Sequence, residues 1–419
     1  MTKFLDSSFL LGLLALVLLA STSSFEAAVT PSHSSRPFNR TLFPPDFIFG
    51  AGSAAYQIEG AAYIDGKGPS NWDHYTKNHP GIMPFVTIFH WDVPQALEEE
   101  YGGFLKPQIV KDYEEYAEFV FKTFGDRVKN WCTLNEPTIF TLIGYDLGYN
   151  APGRCSPYVG SCLGGDSATE PYLVAHHLLL AHAAAVKVYK QKYQASQKGK
   201  IGITLVTDWY KAKYNTQSSI EAASRALDFN IGWFLHPLTY GDYPKIMRSI
   251  LGNRLPKFNT FESNSLIGSF DYLGLNYYTA NYADALPPAT ANHSFYTHIS
   301  TFFSYPRGLE ELLIYIKDKY KNPPLYVTEN GLGDPNTLSF DETIKDSLRI
   351  RYLHTHILHI SKAMKEGANV KGYYIWTFLD DFEWANGYTK RFGIVYVDFK
   401  TLKRHLKFSA YWFKMFLLK

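Results

Sequence analysis

NHPGIMPFVTIFHWD, residues 78–92, decides how the rest of the chain is read. PFVTIFHW has the composition of a buried strand, apolar and β-branched, and it ends in residues able to grip a ligand. The preceding strand-like run, FIFGAGSAAY, ends near Tyr56, more than 20 residues upstream. Between the two lies AAYIDGKGPSNWDHYTKNHPGIM, rich in Gly, Pro, Asn and Asp, with no apolar repeat at the helical period of about 3.6. Parallel strands are normally joined by crossovers of about a dozen or more residues, usually helical. Here no helix is legible, so an element is missing from an otherwise regular pattern.

Outward from this stretch, short apolar runs alternate with helical ones. The predicted strands are 47–50, 85–90, 128–134, 200–206, 272–278, 325–329 and 370–378. Most are continuous apolar and β-branched runs, as strands buried on both faces require. Predicted helices cover KPQIVKDYEEYAEFVFKTF, YLVAHHLLLAHAAAVKVYKQKY, SIEAASRALDFNIGWFLHPL, GLEELLIYIKDKY and DETIKDSLRIRYLHTHILHISKAMKEG. In the first, Ile109, Tyr113, Tyr116, Val120 and Phe124 form one apolar stripe. Alternating β and α with no linker predicts a single α/β domain over residues 29–419, a (β/α)8 TIM barrel with seven legible strands instead of eight.

Composition narrows the function. The 419 residues are 46% hydrophobic with a net charge of +2, which argues against nucleic acid or an anionic membrane as main partner. Core packing explains most of the 31 Tyr, 30 Phe and 8 Trp, but such an aromatic excess also suits a pocket that stacks on sugar rings. Lys3, the apolar run Phe9–Ala20 and the small residues Ala27 and Ala28 predict a signal peptide over residues 1–28. A run of 12 apolar residues is too short to span a bilayer. The expected route is secretory, ending outside the cell, in the apoplast or in the vacuole, with no membrane association after cleavage. In such a chain Cys155 and Cys162 would form a disulfide around CSPYVGSC, the alternative being three unpaired thiols, with Cys132 buried. Asn39 and Asn292 begin glycosylation acceptors. No Cys or His spacing suggests a metal, and no cofactor is expected.

Two motifs each place a carboxylate at a predicted strand end: WCTLNEP with Glu136, and LYVTENG with Glu329. In a parallel barrel those ends share one face. Acetal hydrolysis uses such a pair, one acid to protonate the leaving oxygen and one carboxylate at the anomeric carbon; a separation of about 5–5.5 Å gives retention. Taken singly, each glutamate also fits a loop or capping residue.

FIFGAGSAAYQIEG, FVTIFHWDVPQALEEEYGGF, TLNEP, APGRCS, DYLGLNYYTANY, YVTENG and DFEWANGYTKRFGIVYVDF follow one another in a recognisable order. Together they resemble the plant-type β-glucosidases of glycoside hydrolase family 1, over nearly all of the chain after the signal segment. The resemblance implies Glu136 as acid/base and Glu329 as nucleophile. It places Gln57, His90, Asn135, Glu383 and Trp384 around the non-reducing sugar, Tyr278 against the nucleophile, and Trp376 and Phe392 at the aglycone. Without that context, His90 reads as a core histidine and Trp376 and Trp384 as core aromatics. Thioglucosidase members carry glutamine at the acid/base position, whereas Glu136 is intact here. Asp381 stands where the family usually has asparagine.

Within the family pattern, the stretch before PFVTIFHWD should contain a helix, the second barrel strand and another helix. At about 30 residues per repeat, roughly 50–70 are missing. The expected consequences are a barrel that closes on seven strands or shows an open edge, uncovered apolar surface, and loss of the family arginine that contacts the nucleophile. The implied activity is retaining hydrolysis of small β-O-glucosides; the alternatives are a sugar-binding member with impaired catalysis, or a transglucosidase.

Overall fold

A computed structural model describes residues 38–58, 83–284 and 304–418. The seam around residues 78–82, the signal segment and Asn292 lie outside the described residues. All seven predicted strands form: β1 Ile48–Ala51, β2 Phe85–Phe89, β3 Asn130–Asn135, β4 Lys200–Val206, β5 Tyr272–Asn276, β6 Leu325–Glu329 and β7 Val370–Ile375. They make one sheet in the order β1-β7-β6-β5-β4-β3-β2, with every pair parallel. Sequence neighbours are thus sheet neighbours, and β7 returns to β1, which is barrel order. Among the described residues, β1 and β2 do not pair.

That break shows in burial. β3 and β5 are buried along their whole length, as strands with a helix outside and a packed interior must be. β1 and β2 are only partly covered, and Thr87 of β2 is exposed. The sheet nevertheless curls enough to fill its own interior. Phe85 of β2 lies 5.2 Å from the rings of Tyr326 on β6 and Tyr374 on β7, and 5.8 Å from Tyr272 on β5.

The outer layer includes α1 Gln108–Phe124, α2 Pro137–Tyr145, α3 Glu170–Val188, α4 Gln217–Phe229, α5 Ile231–Tyr240, α6 Pro306–Lys319, α7 Ser347–Lys365 and α8 Phe408–Leu417. α1 buries Ile109, Tyr113, Ala117, Val120 and Phe121. Tyr116, expected in that stripe, is instead 49% exposed, and its hydroxyl donates to the Ile88 carbonyl of β2 at 3.2 Å. The helix expected across 219–238 is broken at Asn230, whose φ and ψ of −93° are not helical, so α4 and α5 are separate. The long pattern at 341–367 likewise divides into Phe340–Ile344, with a Ser339–Glu342 capping box, and α7. Three two-stranded ribbons, which sequence patterning did not reveal, decorate the sheet: Trp209–Ala212 with Ala280–Ala283, Asp334–Pro335 with Lys390–Arg391, and Val395–Val397 with Arg404–Leu406.

Candidate active site

β3 delivers Asn135 to the strand end, and the chain then turns through Glu136 in the left-handed region, with φ 45° and ψ 54°. A non-glycine residue held there is costly and is kept only where its surroundings over-determine it. Pro137 starts α2 immediately, which suits its fixed φ. Glu329 is the last residue of β6. Both carboxyls are buried, 7% and 8% exposed, and both sit at the C-terminal ends of the strands.

Asn276, the last residue of β5, ties this end of the barrel together. Its amide donates to Glu136 Oε1 at 2.7 Å and to Asn135 Oδ1 at 3.3 Å, while its own Oδ1 accepts from the Thr328 hydroxyl at 2.7 Å. Asn135 Nδ2 then meets His90 Nε2 at 3.0 Å. Because the amide must donate, Nε2 accepts, which leaves the proton on Nδ1 for a ligand. Tyr278 donates its phenol to Glu329 Oε2 at 2.6 Å.

Burial sets the electrostatics. It raises Glu136 to about 7, with the Asn276 bond opposing and Glu383 and Asp208 adding to the rise. Glu329 is pushed well above its ordinary value, first by burial and then by the Glu136 charge; Tyr278 and Asn276 oppose this, and Glu383 adds to it. The charged groups with the largest effect on it, Glu136 and Glu383, are both acidic. Glu383 is raised by burial to about 7, and Asp381 to about 8 by burial, then by Glu383 and Asp380. His90 is driven down to about 4 by desolvation and is neutral near pH 7.

The remaining expected residues gather around this core. Gln57 donates to the Phe382 carbonyl at 2.9 Å, leaving Oε1 buried without a partner. Glu383 Oε2 and Asp381 Oδ2 are also buried and unpartnered. Trp384 lies 5.3 Å from the His90 ring, and Trp376 lies 6.3 Å from it. Phe392 meets Tyr278 edge-on at 6.2 Å. Asn276, Thr328, Asp208 and Trp91, whose indole donates to the Asn135 carbonyl at 3.0 Å, were not singled out from sequence. Asn276 lay inside the predicted strand 272–278, and only the structure ends that strand on its amide.

Away from the carboxyls, Cys155 and Cys162 are joined, with Cα atoms 5.5 Å apart. Cys132 is buried and free, its thiol pushed by burial to about 11. Asn39 Oδ1 accepts from the Thr41 amide and hydroxyl. Among the described residues, no group of three or more His, Cys, Asp or Glu is placed to hold a metal, and no helix is long and apolar enough to cross a membrane.

A parallel barrel order with two buried glutamates at the strand ends, surrounded by amide, imidazole and indole groups, defines an O-glycosyl hydrolase. The chain belongs to glycosyl hydrolase family 1, whose pattern matches residues 39–81 and 78–419. β-Glucosidase 12 of Oryza sativa subsp. indica is 44% identical over 504 aligned positions, covering 97% of this chain and 98% of that protein. β-Glucosidase 17 of Arabidopsis thaliana is 44% identical over 477, covering 91% and 92%. The rice Os3BGlu6 β-glucosidase, solved as a covalent complex with Glc, is 37% identical with a TM-score of 0.83, covering 91% of this chain and 100% of that one.

The family match falls in two pieces that meet at the seam. Since 97% of 419 residues is about 406, the 504 aligned positions include about 98 where the rice relative has residues and this chain has none. That exceeds the roughly 50–70 residues that one lost helix–strand–helix accounts for.

Proposed function

We propose that this chain is a β-glucosidase that cleaves β-O-glycosides of small aglycones by double displacement. Glu329 attacks the anomeric carbon while Glu136 gives its proton to the glycosidic oxygen, and the aglycone leaves as an alcohol. Water then attacks the glycosyl–Glu329 ester, Glu136 takes its proton, and glucose departs with the β configuration retained. The observation that carries this reading is the linked set Glu136–Asn276–Glu329–Tyr278 at the strand ends. It holds Glu136 near 7, protonated in mildly acidic solution, and gives Glu329 two donors, Tyr278 and Asn276, that oppose the rise burial imposes on it. The covalent Glc complex of the rice relative agrees with such an intermediate. On the sugar side, Gln57 Oε1 and Glu383 Oε2 are open acceptors for hydroxyls.

A second reading, a sugar-binding member with weakened hydrolysis, is favoured by the two acidic groups, Glu136 and Glu383, that raise Glu329. An aryl β-glucoside decides between the two. Hydrolysis predicts aglycone release that Glu329→Gln abolishes; measurable glucose binding with no release supports the binding protein instead. An added alcohol, followed by product analysis, separates transfer from hydrolysis. The chain is further proposed to enter the secretory pathway, with sugars on Asn39 and Asn292; N-terminal sequencing of secreted protein should begin after Ala27 or Ala28.

A further inference from the structure

Beside the sugar-binding residues lies a cavity of about 420 Å³, within the ~300–1,000 Å³ range of small-molecule sites. Neither glutamate lines it, and neither do the aglycone residues Trp376 and Phe392. Its walls include Trp384 of the glycone set and chain neighbours of the others: Tyr56 precedes Gln57, Trp91 follows His90, and Phe382 precedes Glu383. The cavity therefore adjoins the glycone residues, with Trp384 common to both.

Its position follows from the fold. Tyr56 lies just beyond β1, and Trp91, Asp92 and Gln95 lie just beyond β2, the two strands that do not pair with each other among the described residues. In a barrel with a further strand between them, the loop leaving that strand would rise at this point. Here the space is lined by aromatic faces. Tyr56 stacks on Trp384 with centroids 5.8 Å apart and planes 4° from parallel, and Trp91 packs on Trp384 at 4.6 Å. Asp92, Gln95 and Asn150 add polar groups. Flat aromatic walls with a few carboxylate and amide groups are the chemistry of a sugar subsite.

We propose that this cavity is a second sugar subsite on the glycone side, taking the non-reducing residue of a β-linked glucodisaccharide or longer oligosaccharide. The proposal rests on the glycone reading of Gln57, His90, Glu383 and Trp384. The bond cut is still the one to the aglycone, with water supplying OH to the sugar and H to the aglycone, so the first product is an intact disaccharide.

The test uses the full chain carrying Glu329→Gln and measures glucose, cellobiose and cellotriose binding by calorimetry. Cellobiose should bind at least about tenfold more tightly than glucose, a gain of about 1.4 kcal/mol. Tyr149→Ala and Gln95→Ala, both at exposed cavity residues, should each reduce that gain to less than about threefold. The unsubstituted enzyme should release cellobiose before glucose from an aryl β-cellobioside. Equal affinity for glucose and cellobiose, or a gain that survives both substitutions, overturns the subsite. Binding of neither sugar overturns the glycone reading as well, whereas an intact gain without turnover overturns hydrolysis alone.

Discussion

Asp381 shows how a single atom type can alter the site. As a carboxylic acid lifted to about 8, it is neutral through most of the working range, much as the family's usual amide would be. Its ordinary value is 3.8, and those of Glu136 and Glu383 are 4.5. Between those values and the native ones, the folded chain holds protons that the unfolded chain has lost. Stability therefore falls as pH rises from about 4 to about 8. Asp381→Asn removes one of these groups, so the difference in Tm between pH 5 and pH 8 should shrink. On its acid side, catalysis should respond in the opposite direction. In the proposed mechanism Glu329 must ionise to attack, and its raised pKa moves the acid limb of the kcat/KM profile above the ordinary carboxylate range. A limb near 4.5 would contradict the acidic environment described for it. Asn276 is the positioning residue with most at stake. Asn276→Ala leaves Glu136 Oε1 and the Thr328 hydroxyl without their partner, at a cost of about 1–3 kcal/mol. It should also raise the basic limb set by Glu136, because the lost bond favours the anion. A loss of stability with an unmoved pH profile would mark Asn276 as structural only.

At the scale of elements, α1 and the start of β2 carry exposed apolar side chains. Phe119 is 63% exposed, Tyr116 49%, and Met83, just before β2, 55%. Phe119→Lys should leave Tm nearly unchanged, as surface substitutions do, while lowering self-association measured by light scattering. The Cys155–Cys162 bridge closes a short loop of seven residues' separation; replacing both with serine should cost about 2–3 kcal/mol in the loop-entropy description. The elements were unevenly legible in the sequence. The seven barrel strands could be read because strands buried on both faces are apolar along their length. The two- to four-residue ribbons could not, because so short a segment carries no period. The break at Asn230 was hidden within a continuous helical pattern, and tertiary packing decided it. Glu136 and Glu329 stood out as charges at the ends of apolar runs. Asn276 did not, since an uncharged amide closing a strand looks like an ordinary turn residue until its bond to Glu136 is seen.

For the whole molecule, the question set by residues 78–92 has a partial answer: the strands on either side form, keep barrel order, and meet no common partner among the described residues. Supplying the helix–strand–helix of a full-length relative at the seam should raise both Tm and kcat. A graft that folds but changes neither would show that the shortened sheet already supports the site. The missing pairing has a further consequence for how the molecule comes apart. A closed ring has no first strand to lose, because each one is clamped from both sides. Among the described residues this sheet has two ends, and β5 sits in the middle, three strands from each. Opening can then begin at β1 or β2 and travel inward like a zip. Amide hydrogen exchange should accordingly be slowest in β5 and grow faster, strand by strand, toward both free ends.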